Sequence, residues 1–129
     1  CKDIAMKKVV VEGFELEITS PPNNTIGSFT VVSIPSNKVL SENKRCYFGN
    51  LSCMVSGIVD NNTGNTQTAP VQINISGTSE KLMLGSDKAV LEGDSVDVTI
   101  DGISPSNVTV SWPVTIAIKN ANQDKLITN

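Results

Sequence analysis

Apolar and polar residues alternate with a period of two along much of the chain. The alternation is clearest in segments 14–18, 71–76, 96–101 and 108–118. Successive side chains of a strand point to opposite faces, so this period indicates strands with one buried and one exposed face. Val and Ile dominate these segments, as is usual in strands. The pattern predicts about eight to ten short strands.

Turn-forming residues separate these segments. Pro, Gly, Asn, Asp and Ser concentrate at 20–28, 60–65, 92–95 and 101–107. No segment keeps a helical period over three turns. Residues 119–125 could make a turn or two of helix, or 119–129 could form a flexible tail. The expected fold class is therefore all-β, with a compact single domain of short antiparallel strands and hairpins spanning 1–129.

One sequence motif occurs twice, at 35–50 and at 79–94. Each copy has a short apolar strand, a polar turn and a second apolar strand that ends at Gly, which is typical of a β-hairpin. A hairpin cannot bury its own apolar face, so both units should pack against other strands. Aligning the copies leaves one extra residue in the second loop and pairs Lys38 with Lys81 and Lys44 with Lys88.

Composition excludes several classes of function. The chain contains no His, the commonest general base and zinc ligand. Its net charge of −3 argues against a nucleic-acid partner, which requires a basic stripe. No phosphate-binding loop or nucleophile motif occurs. We therefore expect a protein that is not an enzyme, with no catalytic residues, metal, cofactor or small-molecule substrate.

The three cysteines leave alternatives open. Cys46 and Cys53 are close enough in sequence to form a disulfide, or they could be a pair of reduced thiols as in a cytoplasmic protein. Cys1 could carry a lipid anchor, as in a mature bacterial lipoprotein, or result from other processing.

The first copy, "SNKVLSENKRCYFGN", resembles the repeat of PAAR and PAAR-like proteins, the small tips of contractile-tail and type VI secretion spikes. The second copy fits the same repeat, with one insertion, through Lys81, Leu82, Gly85, Lys88 and Gly93-Asp94. The resemblance covers about residues 28–98. The Pro-Ala-Ala-Arg tetrapeptide is absent, and so are the histidines that usually hold the family's apex metal.

The resemblance implies a structural protein with a conical tip and added strands. Such a protein would cap a trimeric β-helical spike of a phage tail, baseplate or secretion machine and help to pierce the target cell envelope. Its partners would be the spike and that envelope, and its location would be the tip of the virion tail or secretion apparatus. We expect spike docking through apolar residues that precede the first hairpin: Phe29, Val31 and Ile34.

A second interpretation fits the alternating segments equally well. The chain could be a surface-exposed β-sandwich, anchored to a bacterial cell surface by a lipid on Cys1 and serving in binding or adhesion. A lipoprotein signal preceding Cys1 in the gene would favour this interpretation. Neighbouring tail or baseplate genes would favour the spike tip.

Overall fold

The computed structural model describes residues 6–129 of the chain. These residues form fifteen β-strands joined by turns and loops, and they include no helix. The first eight strands are β1 (Lys7–Lys8), β2 (Glu15–Ser20), β3 (Asn24–Thr25), β4 (Ser28–Val31), β5 (Ser36–Ser41), β6 (Lys44–Cys46), β7 (Asn50–Ser56) and β8 (Val59–Asp60). The other seven are β9 (Thr66–Gln67), β10 (Val71–Ser76), β11 (Met83–Leu84), β12 (Asp87–Lys88), β13 (Ser95–Ile103), β14 (Thr109–Asn120) and β15 (Ile127–Thr128). Residues 6–129 thus include no helix that could cross a membrane.

The largest sheet has six antiparallel strands in the order β2-β14-β13-β9-β8-β3. Its two end strands, β2 and β3, lie against each other, so the sheet is nearly closed into a barrel. Inside it, the indole Nε1–H of Trp112 on β14 donates to Oδ1 of the buried Asn24 on β3 at 2.9 Å. This bond gives the only polar atom of a large aromatic side chain its partner in the core.

A three-stranded antiparallel sheet, β10-β7-β4, packs its apolar face on the same core. Leu51, Cys53 and Val55 of β7 are fully buried, and they alternate with the less buried residues of the strand. This alternation is the period of two that the sequence displays. We call the resulting cluster the main core; its largest fully buried members include Leu51, Ile58, Ile73, Ile75, Ile100 and Ile116.

The all-β fold class predicted from this period is confirmed, and the described residues form one compact domain. Proline is usual in edge strands, but Pro113 lies in β14, which is internal to the six-stranded sheet. It pairs with Thr99 of β13, while pairing with β2 on the other side begins only at Thr115. Proline has no N–H to donate, and its position beyond the last β2 pair is compatible with that loss.

The end of the chain, 119–129, for which the sequence suggested a helical turn or a flexible tail, is tied into the domain. It contains the end of β14 and strand β15, which pairs antiparallel with β1. Between them, Gln123 is only 4% exposed. Its Oε1 accepts from the Ser41 hydroxyl at 2.7 Å, and its Nε2 donates to the carbonyl of Val9 at 2.8 Å. One buried amide thus joins the segment that precedes β15 to Val9 and to β5.

We expect Gln123→Leu to lower the free energy of unfolding by about 1–3 kcal/mol, because it leaves buried donors and acceptors without partners at nearly unchanged volume. Urea denaturation measures the loss. Gln72→Leu is the matched control, since Gln72 is exposed on β10; we expect it to change stability by less than about 0.5 kcal/mol. Equal effects of the two changes would show that the buried amide does not hold the chain end in place.

Candidate functional site

Three short antiparallel ribbons surround one end of the domain, and we call them arms. Arm 1 pairs β1 with β15, arm 2 pairs β5 with β6, and arm 3 pairs β11 with β12. Arms 2 and 3 are hairpins closed by two-residue turns, Glu42-Asn43 and Gly85-Ser86. Glu42, Asn43 and Gly85 have positive φ angles, as primed hairpin turns require. Arm 1 has the same pairing but is formed by the two ends of the described chain.

The strand register makes the three arms equivalent at two successive residue pairs. Arg45 pairs with Leu40, Lys88 with Met83, and Lys8 with Ile127. This register corrects the alignment drawn from the sequence. Lys38 does match Lys81, but Lys44 matches Asp87, and the residue that matches Lys88 is Arg45. The two hairpin loops have equal length, because lysine-to-cation spacing is seven residues in both arms.

The arms meet in a closed ring of backbone hydrogen bonds, which we call the central triangle. Val10 N–H donates to the carbonyl of Val90 at 2.9 Å, Val90 N–H to that of Tyr47 at 3.0 Å, and Tyr47 N–H to that of Val10 at 3.1 Å. The flanking residues form three antiparallel bridges: Val9 with Leu91, Val11 with Cys46, and Phe48 with Ala89. Three segments of one chain are therefore related by an approximate three-fold axis.

Side chains of the triangle alternate between two cores. Val10, Tyr47 and Val90 are buried in the main core, and their neighbours on both sides belong to a second cluster, the arm core. Alternation within an extended segment places the two clusters on opposite sides of the triangle. Each arm contributes three residues to the arm core: Val9, Val11 and Leu126 from arm 1, Val39, Cys46 and Phe48 from arm 2, and Leu82, Ala89 and Leu91 from arm 3.

In each arm, the cation contacts the residue three positions before the apolar residue with which it pairs. Lys8 Nζ lies 2.6 Å from Asp124 Oδ1, and Lys88 Nζ lies 3.5 Å from Glu80 Oε1. At the equivalent place in arm 2, Arg45 donates to Oδ1 of Asn37 at 3.3 Å. Because the amide of Asn37 is neutral, Arg45 takes its charged partner from elsewhere.

That charged partner is Glu12, in the turn that follows the triangle. Arg45 Nε donates to Glu12 Oε1 at 2.9 Å and its Nη2 lies 2.8 Å from Oε2, so the pair is bidentate. The Arg45 backbone N–H also donates to Oε1 at 2.9 Å. These side-chain and backbone hydrogen bonds lower the pKa of Glu12 from 4.5 to about 2. The pair ties arm 2 to the first segment of the triangle.

Three exposed apolar side chains also occupy equivalent positions. Leu40, Met83 and Ile127 are 53%, 42% and 43% exposed, and each lies opposite the cation of its arm. Large exposed apolar side chains at single sites need no explanation, but a set repeated on three related arms indicates a contact surface. We call these residues the arm apolar set.

The residues that the sequence suggested for docking do not form one surface. Phe29 and Val31 pack against the main core, and the Phe29 ring lies 5.6 Å from that of Phe14 between centroids. Ile34 is 87% exposed. The structure thus brings Phe29 and Val31 to the inner side of strand β4 and leaves Ile34 apart from them in the loop after it.

Cys46 and Cys53 are free thiols, both fully buried. Cys46 belongs to the arm core and Cys53 to the main core, so the two side chains lie in different clusters and form no disulfide. Burial raises the pKa of each thiol to about 11, which keeps both protonated at neutral pH. Cys1, the candidate lipid anchor, lies outside the described residues.

The three arms present exposed surfaces for contact. Within residues 6–129, no three His, Cys, Asp or Glu side chains are arranged to bind a metal ion. A polar cleft beside arm 1 holds about 480 Å³. Its charged lining includes Lys8, Asp124 and Lys44, of which the first two pair with each other and the third donates to the carbonyl of Asn122.

Sequence reasoning found two of the three arms and missed the third. A signal for it was present at the end of the chain, where "QDKLI" at 123–127 repeats "SNKVL" at 36–40 and "SEKLM" at 79–83. A second signal was the match of "KVVVEG" at 8–13 with "KAVLEG" at 88–93, offset by 80 residues. The third copy is hard to recognise because the chain ends divide it.

The Glu12–Arg45 pair makes stability depend on pH. The folded pKa of Glu12, about 2, lies below its ordinary value of 4.5, so the contribution is complete above 4.5 and is lost as the pH falls toward 2. We expect the difference in unfolding free energy between wild type and Glu12→Gln to shrink over that range. Chemical denaturation at several pH values measures it. Glu17→Gln, which removes a carboxylate without an ion pair in the described structure, is the control, and a pH-independent Glu12 difference would contradict this account.

Comparison of the chain with protein-family models, curated proteins and solved structures gave no significant match. The argument for function therefore depends on the residues and on the geometry of the three arms.

Proposed function

We propose that this protein is a structural, non-catalytic spike tip. It caps a trimeric β-helical spike of a contractile tail or secretion apparatus and helps that spike to pierce a target cell envelope. The observation that supports the proposal is the approximate three-fold axis through the central triangle, with one arm on each side of it. The two PAAR-like sequence motifs form arms 2 and 3 of this arrangement.

Symmetry explains why a single chain would repeat one arm three times. The end of a trimer presents three identical edges related by rotations of one third of a turn. A monomer can contact all three edges in the same way only if its own surface repeats with the same rotation. The equivalent exposed residues Leu40, Met83 and Ile127 satisfy that requirement.

The packing of the arms suits a part that must keep its shape under load. The ring of backbone bonds joins segments 9–11, 46–48 and 89–91, which are far apart in the chain. A bonded ring between distant segments resists separation because no single arm can leave without breaking bonds to both others. Residues buried on both sides of the ring reinforce it.

The alternative is a surface-exposed, lipid-anchored binding or adhesion module. It does not explain why the three arms are arranged around a three-fold axis. Its distinguishing residue, Cys1, lies outside the described part of the chain. The two proposals differ in one measurable property, since only the spike tip should bind a trimer with one copy of this chain per three spike chains.

We expect the purified chain to be captured by the trimeric spike protein encoded in the same tail or secretion gene cluster, at one copy per trimer. Leu40→Asp, Met83→Asp and Ile127→Asp should each weaken capture about tenfold or more, because a carboxylate replaces apolar contact area at one of three equivalent places. Native mass spectrometry gives the stoichiometry, and calorimetry gives the affinity.

Two matched variants carry the same change at other exposed apolar sites. Val108 is 57% exposed in the turn between β13 and β14, and Val108→Asp should leave capture unchanged. Ile34→Asp tests the docking surface first expected from the sequence. Loss of capture in Ile34→Asp but not in the three arm variants would move the docking face to the segment after β4. Absence of capture by the unmodified chain would reject the spike-tip function.

A further inference from the structure

Basic residues are concentrated on the three arms. The arms and the residues that lead into them, 7–8, 36–46, 80–88 and 124–129, contain eight of the ten Lys and Arg residues of the chain and four of its thirteen acidic residues. The other segments contain two basic and nine acidic residues. A chain that is acidic overall therefore has one basic end, and that end carries the three-fold axis.

Three of these basic residues occupy equivalent positions around the three-fold axis. Lys38, Lys81 and Lys125 each lie two positions before the exposed apolar residue of their arm, and all three are exposed. The residue between them, Val39, Leu82 or Leu126, packs in the arm core, while both of its neighbours are exposed. Each arm therefore carries a lysine beside an apolar side chain on its outer surface. We call these residues the arm lysines.

The acidic residues nearest to the arm lysines in sequence are already engaged. Glu80 precedes Lys81 and pairs with Lys88, and Asp124 precedes Lys125 and pairs with Lys8. In arm 2 the corresponding residue is the neutral Asn37, which accepts from Arg45. Within residues 6–129, no carboxylate lies within salt-bridge distance of an arm lysine side chain. Three equivalent positive charges are thus left facing outward.

We propose that the arm lysines bind three carboxylates, one supplied by each chain of the trimeric partner. This inference rests on the proposed function and adds the chemistry of the partner's end. Each partner chain would present an acidic residue next to an apolar one, matching the lysine and the apolar residue of one arm. The ring of charges fixes the rotational register of the tip on the spike, because a charge contact is lost when the two axes are out of phase.

The test compares affinities for the purified trimeric spike protein of the same gene cluster at low and high salt. For the wild type, raising NaCl from about 0.05 to about 0.5 M should weaken binding, because ions screen exposed charges beyond roughly a few ångströms at high salt. The triple variant Lys38→Gln, Lys81→Gln, Lys125→Gln should bind about tenfold more weakly at low salt, as expected for three exposed ion pairs, and should lose most of the salt dependence.

Two control variants separate charge at these positions from charge in general. Lys38→Arg, Lys81→Arg, Lys125→Arg keeps the charges and should retain most of the affinity. The single variant Lys119→Gln, which removes a lysine outside the arms, should bind like wild type, whereas the matched single variant Lys38→Gln should bind more weakly. Circular dichroism and thermal unfolding verify that each variant is folded.

The outcomes distinguish this inference from the function on which it rests. Unchanged affinity and salt dependence in the triple variant, with wild-type capture intact, would overturn the lysine contact and leave the spike-tip function standing. Failure of wild-type capture would overturn both. Self-association of the wild type that disappears in the triple variant would assign the arm lysines to a second copy of this chain and also overturn the proposal.

Discussion

The arrangement of the domain depends on one ring of three backbone hydrogen bonds, in which Val10, Tyr47 and Val90 each donate to one neighbour and accept from the other. Each bond in isolation would contribute about 1 kcal/mol of net stability, so the importance of the ring lies in what it positions. It fixes three distant segments at the same height around an axis. Every arm leads into it, and each of the two apolar cores packs on one of its sides.

The three-fold repetition around this ring includes side-chain contacts as well as backbone hydrogen bonds. The cation of each arm donates to the residue just before the arm lysine: Asn37, Glu80 or Asp124. Where that residue is neutral, in arm 2, a bidentate pair with Glu12 replaces the missing charge. In arm 1, which the two ends of the described chain form, the buried Gln123 accepts from Ser41 and donates to the carbonyl of Val9. Equivalent positions on the three arms therefore make similar contacts with different side chains.

Sequence reasoning predicted the all-β class because alternation along 71–76 and 96–101 depends only on which residues are buried. It also located the hairpins of arms 2 and 3, since apolar runs around a polar turn are local features. It could not predict the ring, because the partners of Val10 are far from it in the chain. It misaligned Lys44 with Lys88 because identity of residue type outweighed hairpin register. It proposed Phe29 and Val31 for docking, and both are partly buried against the main core.

The central claim is that this three-fold axis is the docking axis of a spike tip. Electron cryo-microscopy of the chain bound to its trimeric spike, reconstructed without imposed symmetry, tests it most directly. The account predicts that the axis through the central triangle coincides with the spike axis and that each arm contacts one spike chain through its exposed apolar residue. A complex in which the chain sits off the axis, or contacts the spike through strand β4 and the segment after it, would contradict the account.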